Sequence, residues 1–201
     1  MIRREVNRSL EKKYIYQNGG PAAAGDNNMK TTWTFSSLLA SNVAASNLGF
    51  VQGSTESQRV GNKVMIKYIY LTVYITGNTM DGNGSIGRLI VYYKPRPGGS
   101  LPVGSEVFNA DAPYYPRNGS YLNKYKILKD ITHQIVSTTG TTSGPTYLYN
   151  IKIPVNKVLI FNGSDTTITG LQNFDIGIGY ASSENDCCKI QSHATVCFTD
   201  A

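Results

Sequence analysis

VMIKYIYLTVYITG, residues 64–77, is the stretch that decides the fold class. Its length and its density of β-branched and tyrosyl residues read as one long strand, closed by the turn-rich GNTMDGNG of 77–84. Upstream, KTTWTFSSL (30–38) reads as an earlier strand. Downstream, GRLIVYYK (87–94), KYKILKDITHQIVS (124–137), YLYNIKIPV (147–155), NFDIGIGYAS (173–182) and CKIQSHATVCF (188–198) read as later ones, each bounded by Gly, Pro, Asn or Ser clusters. Irregular connections and almost no helical periodicity predict an all-β fold, a single eight-stranded antiparallel jelly-roll sandwich with Greek-key connections. SEVFN (105–109) is expected as a short helical turn inside a loop. A chain of 201 residues suffices for one such domain, which buries about 70% of its extended surface.

The first sixteen residues, MIRREVNRSLEKKYIY, follow a different pattern. As a helix they place Ile2, Val6 and Leu10 on one narrow apolar stripe, with Arg4, Arg8 and Lys12 at the same spacing opposite. The competing reading is a frayed basic terminus. Residues 1–16 are therefore read as a basic amphipathic helical arm, 17–29 (QNGGPAAAGDNNM) as a flexible hinge, and 30–201 as the jelly-roll domain. Nineteen Lys and Arg against thirteen Asp and Glu give +6 overall. Residues 1–13 hold Arg3, Arg4, Arg8, Lys12 and Lys13 against Glu5 and Glu11, which is half of that excess. Such asymmetry points to a polyanion, a nucleic acid or an acidic membrane surface.

No run of eighteen apolar residues is present, and no apolar segment follows the basic start, so a bilayer-spanning or exported chain is not expected. Three late cysteines, Cys187, Cys188 and Cys197, are too few for a disulfide framework and fit a reducing compartment. The sequons at Asn7, Asn83, Asn118 and Asn162 are then expected to be unused. Catalytic patterns are scarce. Only His133 and His193 are available to activate a nucleophile, and His133 lies in the alternation Ile131, His133, Ile135, which suits a packed or edge histidine. The cluster Cys187, Cys188, His193 and Cys197 lacks the spacing of zinc ligands, because adjacent cysteines in a strand point to opposite faces. No phosphate-binding glycine loop occurs, and the acids are scattered, so no enzyme is expected. Fourteen tyrosines are many for this length, and tyrosine suits surfaces that meet another molecule.

Several blocks carry a resemblance: QGSTESQRVGNKVMI (52–66) leading into the long strand, GRLIVYYK (87–94), GSLPVGSEVFNA (99–110), KYKILKDIT (124–132) and the terminal VCFTDA (196–201). In order and spacing they resemble the satellite tobacco necrosis virus-like coat proteins, and more broadly the single jelly-roll capsid proteins of small circular single-stranded DNA viruses. SLEKKYIY (9–16) is similar to the end of the arm in that family.

The resemblance implies a virion protein that assembles as sixty copies into a small T=1 icosahedral shell around a single-stranded RNA or DNA genome. The host compartment of assembly is left open, nucleus or cytoplasm. Arms would cluster at threefold axes, with Ile2, Val6 and Leu10 packed together and Arg3, Arg4, Arg8, Lys12 and Lys13 on phosphates. Lys124 and Lys126 would add to the inner surface, against the reading of solvated strand-edge lysines. The family's intersubunit calcium ligands map onto Glu11 and Asp200, with a salt bridge from Asp200 or Glu11 to Lys or Arg as the competing reading. A further family calcium site is expected to be missing, because Ser54 and Thr55 stand where acidic residues are found. No cofactor is otherwise required. A lectin-like or receptor-binding jelly roll, using loops such as PRPGGSLPVG (95–104), is the alternative function.

Overall fold

The computed structural model describes residues 11–18, 28–40, 50–55, 57–77, 85–135 and 146–201. Eight strands run in chain order as β1 (Lys13–Asn18), β2 (Thr34–Ser37), β3 (Lys63–Gly77), β4 (Ser85–Lys94), β5 (Lys126–Ile135), β6 (Thr146–Ile160), β7 (Asp175–Ser182) and β8 (Cys188–Asp200). They form two four-stranded sheets, β1-β8-β3-β6 and β2-β7-β4-β5. β1 pairs with β8, β2 with β7, β3 with β6 and β4 with β5, all antiparallel, so the chain is a long nested hairpin rolled onto itself. That is the expected jelly roll.

The sheets close on a core laid down by strand alternation. β3 turns Val64, Ile66, Ile69, Leu71, Val73 and Ile75 inward, where they meet Ile190, Val196 and Phe198 of β8, Leu89 and Val91 of β4, and Ile176 and Ile178 of β7. Ile66 and Ile69 both face inward because a bulge at Lys67 breaks the register on both flanks and resets the alternation. β7 is buried on both faces. Its glycines are required there, because a Cβ on Gly177 or Gly179 would collide with the rings of Tyr92 and Phe35 lying across the sheet.

The segment between β4 and β5 roofs the outer face of the second sheet. It contains the one-turn helix α1 (Gly104–Val107), matching the expected turn near 105–109, and a 3-10 turn at Gly119–Tyr121. Trp33 stacks on Phe108 with centroids 4.3 Å apart and on Phe35 at 5.8 Å, and Ile90, Tyr92, Val107, Tyr125 and Ala181 complete this second apolar cluster. Arg88 fastens the roof. It forms a two-pronged ion pair with Asp130, both contacts 2.8 Å, and donates to the carbonyls of Pro113 and Tyr115. Its guanidinium holds the Asp130 carboxyl below the usual range. At the buried end of β7, Asp175 accepts from Ser37 Oγ at 2.5 Å and Tyr92 Oη at 3.2 Å, and burial pushes its pKa up.

Two sequence expectations are corrected here. Residues 13–18 form a strand and not the end of a helical arm, so the 1–16 arm loses its last four residues and the hinge of 17–29 its first two to β1. At the far end of the same range, Met29 is fully buried in the core and donates its amide to the Cys188 carbonyl. The alternation of Lys13 and Ile15 against Tyr14 and Tyr16 is satisfied by pairing with β8, whose partners lie some 180 residues away in sequence and leave no local trace. Residues 1–10 lie outside the described residues, and with them Ile2, Val6, Leu10, Arg3, Arg4 and Arg8.

Candidate nucleic-acid interface

The sequence-expected residues divide sharply by environment. Lys12 is exposed just before β1, and Glu11 is exposed beside it; together with Tyr14, Tyr16, Thr55 and Ser57 they border an open depression. Lys13 is buried, contrary to its assignment to phosphate binding. Its Nζ lies 2.7 Å from Asp200 Oδ2 and donates to the Gln58 carbonyl at 3.1 Å. The other oxygen of Asp200 accepts from the Val60 amide at 2.9 Å. Asp200 and Lys13 thus act as a clasp between β1, β8 and the loop before β3, a salt bridge of the kind named above as the competing reading to calcium.

Lys124 and Lys126 sit in different surroundings. Lys124 pairs with Glu106 of α1 at 2.7 Å, which, with the Tyr125 hydroxyl, lowers the Glu106 pKa. Lys126 begins β5 at the mouth of the sandwich, lining a cleft with Tyr93 and Lys157. His133 faces inward, buried against the rings of Tyr147 (5.1 Å) and Tyr149 (6.0 Å), with neither ring nitrogen hydrogen-bonded. Burial pushes its pKa down to about 4. Cys187 precedes β8 in a turn and not within it, so its Sγ comes within 3.8 Å of Cys188 Sγ instead of pointing to the opposite face. Cys188 Sγ in turn contacts Met29 Sδ at 3.0 Å. Cys197 lies nine positions further along the strand, roughly 30 Å away. Among the described residues no group of three or more His, Cys, Asp or Glu is placed to hold a metal.

Arg59, quoted above only as part of QRVG, is fully buried. It donates to the carbonyls of Phe50 (2.8 Å), Gly163 (2.6 Å) and Gly61 while lying 4.3 Å above the Phe161 ring. It is a clamp for the loop before β3.

The feature that sequence reading missed is the outer face of the β1-β8-β3-β6 sheet. Register places side chains there in cross-strand rows: Tyr14, Cys197, Tyr68 and Pro154; then Tyr16, Thr195, Tyr70 and Lys152; then His193, Thr72 and Asn150; then Gln191, Tyr74 and Leu148. Tyr68 hydrogen-bonds Cys197 and Tyr14, which raises its pKa, and Cys197 is fully buried beneath this bridge. One row further, Tyr16 is 75% exposed and Tyr70 45%. Lys152 Nζ sits 5.1 Å from the Tyr68 ring and 5.2 Å from the Tyr70 ring. Lys152 shares this face in the row of Tyr70 and Lys189 in the row of Thr76, whereas Lys13 and Lys157 stand opposite the inward-facing Phe198 and Ile66 and belong to the other side of the sheet. The signal available in sequence was the even spacing that puts Tyr68, Tyr70 and Tyr74 on one face with Thr72, legible only once the phase of β3 is known.

No family model and no curated protein matches the sequence. Two solved structures overlay on most of the chain. One is the empty head of turnip yellow mosaic virus, at 11% identity and a TM-score of 0.39, covering 95% of this chain and 80% of that one. The other is the cowpea mosaic virus top component, naturally occurring empty particles, at 10% identity and 0.39, covering 96% and 84%. An overlay this loose places the chain in neither family.

Proposed function

We propose that the chain is a capsid subunit that self-assembles into a small icosahedral shell of sixty copies and packages single-stranded nucleic acid through the basic segment preceding β1. The observation that carries this reading is the attachment of that segment. β1 is an edge strand fastened by the Lys13–Asp200 clasp, so the basic segment is tied to the jelly roll at one fixed corner, where Lys12 and Glu11 are exposed beside Tyr14 and Tyr16. The quoted sequence blocks support it from a separate direction.

The clasp also revises the electrostatics. Lys13 is neutralised within the fold, so residues 1–12 contribute Arg3, Arg4, Arg8 and Lys12 against Glu5 and Glu11. Sixty such segments bring on the order of 120 positive charges, and each phosphate they neutralise releases condensed counterions. Packaging of this kind is tolerant of sequence and weakens steeply with salt.

Sedimentation velocity of the purified chain, recorded at both the nucleic-acid and the protein absorbance maxima, tests the reading. A fast homogeneous boundary rich in nucleic acid is the expected result. A slow boundary with a protein-like spectrum, persisting across salt, would overturn it and favour a ligand-binding jelly roll that uses the 95–104 loop.

A further inference from the structure

Exposed tyrosines on a sheet are unremarkable singly, but here they are ordered. β8 presents the short side chains Thr195 and Cys197 between the tyrosines of β1 and those of β3. The flanking strands stand about 10 Å apart, two strand spacings, so tall rings border a shallow trough along β8. The Tyr14–Tyr68 bridge closes one end over Cys197. At Thr195 the trough opens between Tyr16 and Tyr70; beyond it β8 presents the larger, exposed His193 and then Gln191, which stands beside Tyr74, itself 41% exposed. Lys152 lies against the rim through its contacts with Tyr68 and Tyr70. Lys189 is exposed at the far end, in the row of Thr76 and Thr146.

Aromatic faces combined with Lys152 and Lys189, with Glu11 as the exposed carboxylate at the β1 border, suit a particular chemistry. The rings offer flat apolar surface that any unpaired base can stack upon, and the ammonium groups offer charge to a phosphate backbone. A duplex keeps its bases stacked on one another and has none to give. A protein partner would need a surface that is at once acidic and flat. The charge complementarity favours a nucleic acid single strand.

We infer that the outer face of the β1-β8-β3-β6 sheet is a stacking platform for single-stranded nucleic acid, with bases on Tyr16, Tyr70 and Tyr74 and phosphates at Lys152 and Lys189. This deepens the capsid reading and rests on it for orientation: the platform face is the one turned to the genome, continuous with the corner where the basic segment leaves β1. Recognition is independent of base identity, because every base has a stacking face. RNA and DNA share this chemistry.

The full chain is tested with fluorescein-labelled oligothymidylate and oligouridylate of about 20 nucleotides, by anisotropy, against a duplex of equal length. Binding to both single strands above the duplex is expected. Joint replacement Tyr16→Ala, Tyr70→Ala and Tyr74→Ala is expected to weaken single-strand binding by about tenfold or more. The matching Tyr→Phe set keeps the rings and is expected to stay within about twofold of the parent. Far-UV circular dichroism and thermal melts report that each variant is folded. Ultraviolet crosslinking of nucleic-acid-filled particles is expected to map to peptides containing Tyr16, Tyr70 or Tyr74.

The two readings fail separately. Filled shells with unchanged binding by the alanine set, or with crosslinks confined elsewhere, overturn the platform and leave the capsid reading standing. Tyrosine-dependent binding by a chain that never forms shells supports the platform's chemistry and overturns the capsid reading. Alanine variants that lose the fast boundary but bind the oligonucleotides as the parent does identify the face as a contact between copies, which overturns the inference.

Discussion

The two sheets of this sandwich carry aromatic residues on both outward faces, and the chain treats them in opposite ways. On the β2-β7-β4-β5 sheet, Trp33, Phe35 and Tyr92 are buried beneath the segment that joins β4 to β5, held down by Arg88 and Asp130. On the β1-β8-β3-β6 sheet, Tyr16, Tyr70 and Tyr74 stand in the open, and no described segment roofs them. Burial of the first set stabilises the monomer. The second set contributes little to folding, so its exposure points to a contact outside the chain.

The contrast breaks most easily at the roofed face. Trp33→Ala removes the ring stacked on Phe108 and Phe35 and is expected to cost about 3–5 kcal/mol in denaturant unfolding. A cost near that of a surface substitution would mean the roof is not part of the folded unit.

A second test lies between the sheets, at His133. Its folded pKa, about 4, lies below the ordinary 6.5, so the unfolded chain takes up a proton that the folded chain refuses. The sign follows directly. Stability is full above about pH 6.5 and falls as pH drops toward 4, by on the order of 2 kcal/mol at this partly solvated site. The variant His133→Leu is expected to lack that share of the acid sensitivity in melts taken across the window; an unchanged slope would place the proton uptake elsewhere.

Breaking the corner clasp should cost less than removing Trp33. Lys13→Met leaves Asp200 half-buried without its cation and is expected to destabilise by roughly 1–2 kcal/mol. Its sharper signature is faster amide exchange in Tyr14–Tyr16 relative to β3, since the loss is local to an edge strand. Uniform acceleration would instead mean that β1 opens only with the whole domain.

The smallest effect is expected on the bare face. Tyr70→Ser should shift stability by about 0.5 kcal/mol or less, because the side chain is nearly half exposed. A loss comparable to Trp33→Ala would erase the distinction between the faces.

Much of the architecture was readable beforehand. Seven strands lay within runs of β-branched and aromatic residues punctuated by glycine, proline and asparagine, and their ends fell within a few residues of the expected places. β1 was hidden because KYIYQN is short and follows a basic stretch with helical spacing, while its partner β8 is at the other end of the chain. The site was less legible. Lys13 and Lys12 are neighbours with the same chemistry in sequence, yet one is clasped inside the fold and the other is exposed. Arg59 carried no reading of its own in the sequence, and only the carbonyls of Phe50, Gly61 and Gly163 explain its burial.

The sequence by itself determined the strand content, the single all-β domain and the concentration of positive charge near its start, because these depend on local propensity, turn chemistry and simple counting. Tertiary structure alone decided which charges remain available and which aromatic face stays open. A period of two separates the sides of a strand, but whether a side is covered depends on where a distant segment comes to rest. Here the β4–β5 connection settles over one sheet, Asp200 reaches Lys13, and the tyrosines of β1 and β3 line up across β8.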